Sequence, residues 1–244
     1  MSTWHDDDAF WHEMEAVMFG EARFAGAATE IEQVLALAGV SEPCDVLDMP
    51  CGPGRHSAVL TELGHRVVGV DRTARYLDQA RARTPDATFH QGDMRRFSQP
   101  ESFDLAVNLF TSFGYFADPD DDRAQLVRFH ESLRPGGKLV MDLNGKETLA
   151  KVLQPTRAWE LDDGTLLIER VEVNDGWTHT HTRWTLVKPD GTRSDQAFVV
   201  RQYSAAVLRG LLLRVGFRGV RIYGGLDGRP YDHTAVRMIV VATK

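Results

Sequence analysis

The stretch Val46–Ser57, VLDMPCGPGRHS, decides the reading of this 244-residue chain. Asp45–Met49 is a short apolar run suited to a buried strand. Gly52 and Gly54 follow around a proline. His56–Leu63 then reads as a helix closed by Gly64. A strand that runs into Gly-x-Gly and a helix start lets the backbone approach a ligand closely, because a Cβ would clash and positive φ is often required. Alone, the motif also fits an ordinary strand-to-helix turn.

The flanking sequence repeats the strand–helix alternation. Before it, residues 10–38 carry apolar side chains at helical spacing (Phe10, Met14, Val17, Met18, then Ile31, Val34, Leu35, Ala38), and Gly20 and Gly26 are expected to break them into two helices. After it, HRVVGVD (65–71), ATFHQGD (87–93), FDLAVNLF (103–110) and KLVMDLN (138–144) read as strands, with TARYLDQARART (73–84) as the helix before Pro85. Asp118 looks like an N-cap before Pro119, with Asp120–Asp122 in the first turn, where the helix dipole favours negative charge. Five alternations imply a doubly wound, mostly parallel sheet with helices on both faces. From Trp159 to Tyr203 the pattern becomes polar–apolar alternation with turns at NDG (174–176) and PDG (189–191), which predicts three antiparallel strands inserted in the fold. A helix over 204–217 and two closing strands complete a seven-stranded sheet whose last strand is antiparallel. The expected plan is residues 1–150 for N-terminal helices and ligand-binding core, 151–203 for the insertion (a substrate cover or oligomer contact), and 204–244 for the closing helix and hairpin.

Composition narrows the function. Hydrophobic residues make up 43% and charged residues 26%, as in soluble globular proteins. No apolar run approaches the roughly 20 residues of a membrane span, and the acidic N-terminus does not resemble a secretory signal. Cys44 and Cys51 alone exclude a disulfide framework and fit a cytoplasmic location. Net charge is −7 with no dense basic block, so a nucleic-acid partner is not expected.

Three acids sit where strands end: Asp48, Asp71 and Asp93. They are expected to point into one crevice at the switch point of the sheet. A dinucleotide fingerprint is the competing reading. It wants a third small residue three positions after Gly54, where Ser57 stands, and it needs no acid at Asp48.

On these residues the chain resembles the class I S-adenosylmethionine-dependent methyltransferases. VLDMPCGPGRHS is similar to their first motif, and VVGVD, GDM, FDLAVNLF and LRPGGKL match later motifs in order. Pro50 stands where the family usually places a glycine. PCGxGRHS resembles a subgroup that methylates small molecules and carries an antiparallel insertion before its sixth strand. The resemblance implies S-adenosylmethionine as cofactor. It would place Asp48 near the amino-acid moiety, Gly52 and Gly54 beneath it, Asp71 with its neighbour Arg72 at the ribose, Asp93 and Met94 around the adenine, and Asn108 and Leu109 near the reactive methyl. Arg55 and His56 join this set, although His56 can equally fill the start of its helix.

The acceptor is expected to be a small molecule with an amine or hydroxyl nucleophile. Asn108, Phe113, Tyr115, His181 and Tyr231 are the candidates beside it, and no catalytic base is assigned. Phe113, Tyr115 and Phe116 suit an apolar or cationic acceptor, with core packing as the alternative for each ring. His179, His181 and Arg183 share one strand face, which makes a poor metal site, and no metal is expected. Trp4, Phe10 and Trp11 can form a lid or pack a helix. The insertion is a candidate homodimer surface. Two other functions stay open: a nicotinamide-dependent oxidoreductase, and a non-catalytic cofactor-binding protein of the same fold.

Overall fold

A computed structural model describes residues 4–174 and 176–244. Strand β1 (Asp45–Asp48) pairs in parallel with β2 (Arg66–Asp71) on one side and β4 (Phe103–Asn108) on the other. Outside them lie β3 (Thr88–Gln91) and β5 (Leu133–Leu143). Beyond β5 come β11 (Met238–Thr243), antiparallel to both its neighbours, and β10 (Arg218–Tyr223) at the edge. The order is β3-β2-β1-β4-β5-β11-β10. Strand order reverses between β1 and β4, which run parallel, and a crevice opens there at the carboxyl ends of the strands.

Alternate strand residues feed two cores. Val46, Leu105, Val140 and Ile239 meet Ile31 and Val34 of α2 (Glu21–Ala38) and Leu60 of α3 (Arg55–Glu62). Their successors Leu47, Ala106, Met141 and Val240 meet Leu126 and Phe129 of α5 (Pro119–Ser132) and Leu208 and Leu212 of α7 (Ala205–Val215). Such two-faced burial explains why these strands read as continuous apolar runs. Truncating a side chain such as Leu47 to alanine would cost about 2–5 kcal/mol.

Two expectations need correction. Gly20 separates α1 (Asp8–Met18) from α2, but Gly26 stays inside α2. A helical glycine costs about 1 kcal/mol against alanine, and the apolar stripe on either side carries the helix through it. The insertion has four antiparallel strands, not three: β6 (Thr156–Glu160), β7 (Leu166–Asn174), β8 (His179–Val187) and β9 (Arg193–Arg201), in that order. Every residue of β6 is exposed, so it has no buried stripe for alternation to report. The turn at 189–191 closes with Gly191 N–H donating to the Lys188 carbonyl at 2.9 Å. The expected NDG turn includes Asp175, which lies outside the described residues. A short helix, α6 (Lys146–Val152), precedes the insertion. Phe10 and Met14 of α1 pack against Leu167, Trp184 and Leu186, so α1 rests on the second sheet. No described helix is long and apolar enough to cross a membrane.

Candidate functional site

The chain leaves β1 at Asp48 and folds back on β2. The Cys51 N–H donates to the Val70 carbonyl at 2.9 Å, and the Gly52 N–H donates to Asp71 Oδ2 at 2.9 Å. Gly52 and Gly54 have φ of +52° and +79°, values that favour glycine. Their roles differ. A Cβ on Gly52 would stand 3.1 Å from the Phe19 ring, and one on Gly54 would stand 2.8 Å from the Ala80 Cβ of α4 (Ala74–Arg83). Gly54 therefore serves close helix packing and does not line the crevice.

The crevice is a cavity of about 860 Å³, within the range of small-molecule sites. The turn and α3 contribute Gly52, Arg55 and His56 to its wall. The end of β2 adds Asp71 and Arg72, and the end of β3 adds Asp93 and Met94. Beyond β4 stand Leu109 and Tyr115. The inner face of the insertion closes the far side with Glu169, Thr182 and Trp184, and Trp4 and Trp11 cover it from the N-terminus.

Five expected residues and one glycine are placed elsewhere. Asp48 lies beneath the turn, fully buried, accepting the Ser57 hydroxyl at 2.6 Å; burial pushes its carboxyl above the usual range. Two of the three strand-end acids, not all three, face the cavity. Asn108 is also buried, and its amide donates to the Met49 and Ser112 carbonyls, both at 3.0 Å, tying the glycine turn to the segment after β4. Phe113 packs in the core, its ring 5.2 Å from that of Tyr203. His181 points outward from β8, because Thr180, Thr182 and Trp184 take the inward positions of that strand. Tyr231 donates to Glu147 Oε2 at 2.9 Å, away from the cavity wall. Gly54 completes the set, for the reason above. Of the N-terminal rings, Trp4 and Trp11 face the cavity, whereas Phe10 is core.

The wall is heavily ion-paired. Asp71 accepts from Thr73 N–H at 2.8 Å as well as from Gly52; burial still raises its carboxyl. Burial also acts to raise Asp93, but the Arg95 guanidinium, which forks both its oxygens, holds it below the usual range. Arg95 also reaches Asp121 at 3.0 Å and lies 4.6 Å over the Phe116 ring. Arg55 and His56 converge on Glu30 Oε2 at 2.5 and 2.7 Å; they outweigh burial and bring the Glu30 carboxyl down to about 2.

Several cavity residues escaped sequence reasoning. Glu30 lies on the polar side of α2, which the apolar stripe does not describe. Asp142 and Arg237 come from β5 and the approach to β11: Arg237 donates to Asp142 Oδ1 at 2.7 Å, to Thr111 Oγ1 at 2.8 Å and to Asn144. They hold the end of β4, where Phe110 and Thr111 both take positive φ, +61° and +60°, uncommon for residues with a Cβ. Glu169 did leave a signal. It shares its strand face with Leu167 and Val171, and a carboxylate in a buried stripe needs a reason.

The family model for a methyltransferase domain matches residues 46–137. The chain is 35% identical over 119 residues to dTDP-3-amino-3,4,6-trideoxy-α-D-glucopyranose N,N-dimethyltransferase of Streptomyces venezuelae, covering 49% of this chain and only half of that relative's length. It is 27% identical over 223 residues, 84% of each protein, to dTDP-4-amino-2,3,4,6-tetradeoxy-D-glucose N,N-dimethyltransferase of Saccharopolyspora spinosa. A solved S-adenosylmethionine-dependent methyltransferase from Clostridium acetobutylicum superposes with a TM-score of 0.77 at 17% identity, over 97% of this chain and 98% of that one. Residues 46–137 thus match the methyltransferase-domain family, in a chain with the fold of S-adenosylmethionine-dependent methyltransferases.

Proposed function

We propose that this chain transfers a methyl group from S-adenosylmethionine to an amine nitrogen of a small molecule. The observation that carries the reading is one cavity with two unlike halves: the Gly52 turn and Asp71 on the sheet side, and an aromatic wall under the insertion on the other. The relatives named above act, by their names, on amino sugars, which supports an amine acceptor.

The residues fit the cofactor. Gly52 at positive φ, in contact range of Phe19, leaves a floor without a Cβ. Asp71 keeps acceptor capacity beyond its two N–H partners, as a carboxylate offers about four lone-pair sites. It would hold the ribose hydroxyls. Met94 and Asp93 would flank the adenine, with Arg95 sharing the Asp93 oxygens, and Leu109 would border the methionine portion. When bound, the cofactor supplies a methyl group already activated by the sulfonium charge. The protein's own task is then to hold the nucleophile in line and to exclude water. Trp4 and Trp11 do the second, since they cover the cavity; Trp4 Nε1 donates to the Val199 carbonyl of β9, and the Trp11 carbonyl accepts the Tyr76 hydroxyl of α4. Only a neutral amine attacks, so an acceptor that arrives protonated must first lose its proton.

Calorimetry with S-adenosylhomocysteine, followed by mass spectrometry of an amine panel incubated with S-adenosylmethionine, tests the reading. Binding with methylation of an amine is the expected result. No heat with S-adenosylhomocysteine refutes the cofactor, and binding without turnover on any amine refutes the acceptor class.

A further inference from the structure

Among the buried carboxylates of the cavity, Glu169 differs in the partner that neutralises it. Its residue is 7% exposed, and Oε1 accepts the Trp184 indole N–H at 2.9 Å. Oε2 pairs with Arg157, whose side chain is 54% exposed and whose guanidinium lies 5.3 Å from the Trp159 ring centroid at the rim. The other cavity carboxylates are bound by better-buried cations. Arg55, on Glu30, is 4% exposed; Arg95, on Asp93, 25%; Arg237, on Asp142, 29%. Asp71 is held by backbone.

A charge buried against apolar groups is costly unless it is paired. A pair whose cation stands in water gains little from its own attraction. Glu169 is therefore poised to exchange Arg157 for another cation that arrives through the cavity. The surroundings favour such a visitor. Trp4, Tyr115, Phe198 and Trp184 form a continuous aromatic wall, with successive ring centroids 4.7, 5.4 and 5.0 Å apart (Trp4–Tyr115, Trp4–Phe198, Trp184–Phe198). Aromatic faces attract ammonium groups.

We propose that Glu169 is the residue that receives the nitrogen of the acceptor, displacing Arg157, and that it selects amines over uncharged molecules of the same shape. This rests on the methyl-transfer reading of the same cavity. The chemistry balances: an amine that docks as its ammonium passes one proton to the Glu169 carboxylate, attacks as the neutral amine, and regains positive charge on nitrogen when the methyl arrives, where a nearby carboxylate is stabilising.

The test uses choline and its uncharged tert-butyl counterpart, 3,3-dimethylbutan-1-ol, titrated into the full chain with S-adenosylhomocysteine present and read by tryptophan fluorescence. The wild-type protein should bind choline roughly tenfold more tightly than the alcohol. Glu169→Gln keeps an acceptor for Trp184 and should bind both probes alike. Arg157→Ala removes the competing cation and should bind choline several-fold more tightly. Equal affinities in the wild type, or a choline preference that survives in Glu169→Gln, overturn the proposal. If Glu169→Gln does not fold, Arg157→Ala decides: unchanged or weaker choline binding overturns it. Calorimetry with S-adenosylhomocysteine on the same samples reports the cofactor half separately. Normal cofactor binding without a choline preference defeats the assignment of Glu169 alone.

Discussion

Ser57 Oγ lies 2.6 Å from Asp48 Oδ2, and both residues are buried. This bond pins the first turn of α3 to the end of β1. Ser57→Ala would leave the carboxylate without its hydroxyl donor, at a cost of about 1–3 kcal/mol. Urea unfolding at neutral pH measures it, and an unchanged midpoint contradicts the structural role. The sign with pH follows from burial. Native Asp48 holds its proton to higher pH than the unfolded chain does, so its contribution to stability falls as pH rises above about 3.8.

Asp71→Ala should weaken S-adenosylhomocysteine by about 1.5–3 kcal/mol, the scale of hydrogen bonds to a charged group. Asp71→Asn should lose less, since its amide oxygen can still accept from Gly52 or Thr73. Calorimetry separates the two. Equal losses would show that the turn bonds which asparagine retains contribute nothing to cofactor binding.

Asp122 provides a pH signature. It is wholly buried at the start of α5, accepts the Tyr203 hydroxyl at 2.7 Å, and lies 3.3 Å from Arg201 Nε. Burial outweighs both partners and raises its carboxyl to about 6. The native state thus binds a proton that the unfolded state has released. Its contribution to stability is full below about 3.8 and declines as pH rises to about 6, by roughly 3 kcal/mol. Asp122→Asn should remove that slope. Urea midpoints from pH 4 to 7 test it, and an identical slope in the variant would rule it out.

Arg72 clasps the N-terminal turn. Its guanidinium donates to the His5 carbonyl at 3.0 Å and the Asp6 carbonyl at 2.9 Å, while Trp4 Nε1 donates to the Val199 carbonyl of β9 at 3.0 Å. Arg72→Ala should speed amide exchange in residues 4–11 by roughly tenfold, the worth of one or two hydrogen bonds. The melting temperature should change little. Unaltered exchange would show that the turn is held by ring packing alone.

The parallel core was legible because β1, β2, β4 and β5 are apolar on both faces, and because Asp118 and Pro119 mark a helix start in a few residues. The site was legible where it is local: Gly52, Asp71 and Met94 stand at strand ends, and strand ends share one edge. It was illegible where it depends on pairing at a distance. Nothing near Glu30 indicates that Arg55 and His56 fold onto it, and nothing near Asp142 indicates Arg237, 95 positions later. His181 was misplaced by strand parity. Alternation grouped it with His179 and Arg183, but only the buried Trp184 on the opposite face says which side is in. Asn108 ends the expected strand and Phe113 follows it, but both lie too deep, because a motif gives order along the chain and not distance from a cavity.

Lys146 N–H donates to the Tyr203 carbonyl at 3.0 Å, so the chain enters and leaves the second sheet through one stapled doorway. The excursion between them carries Glu169 and two of the four rings of the aromatic wall, Trp184 and Phe198, yet contributes no strand to the seven-stranded sheet. On the proposed reading, acceptor recognition is a detachable cassette: a descendant could exchange it for another and inherit a new client without relearning how to grip the methyl donor.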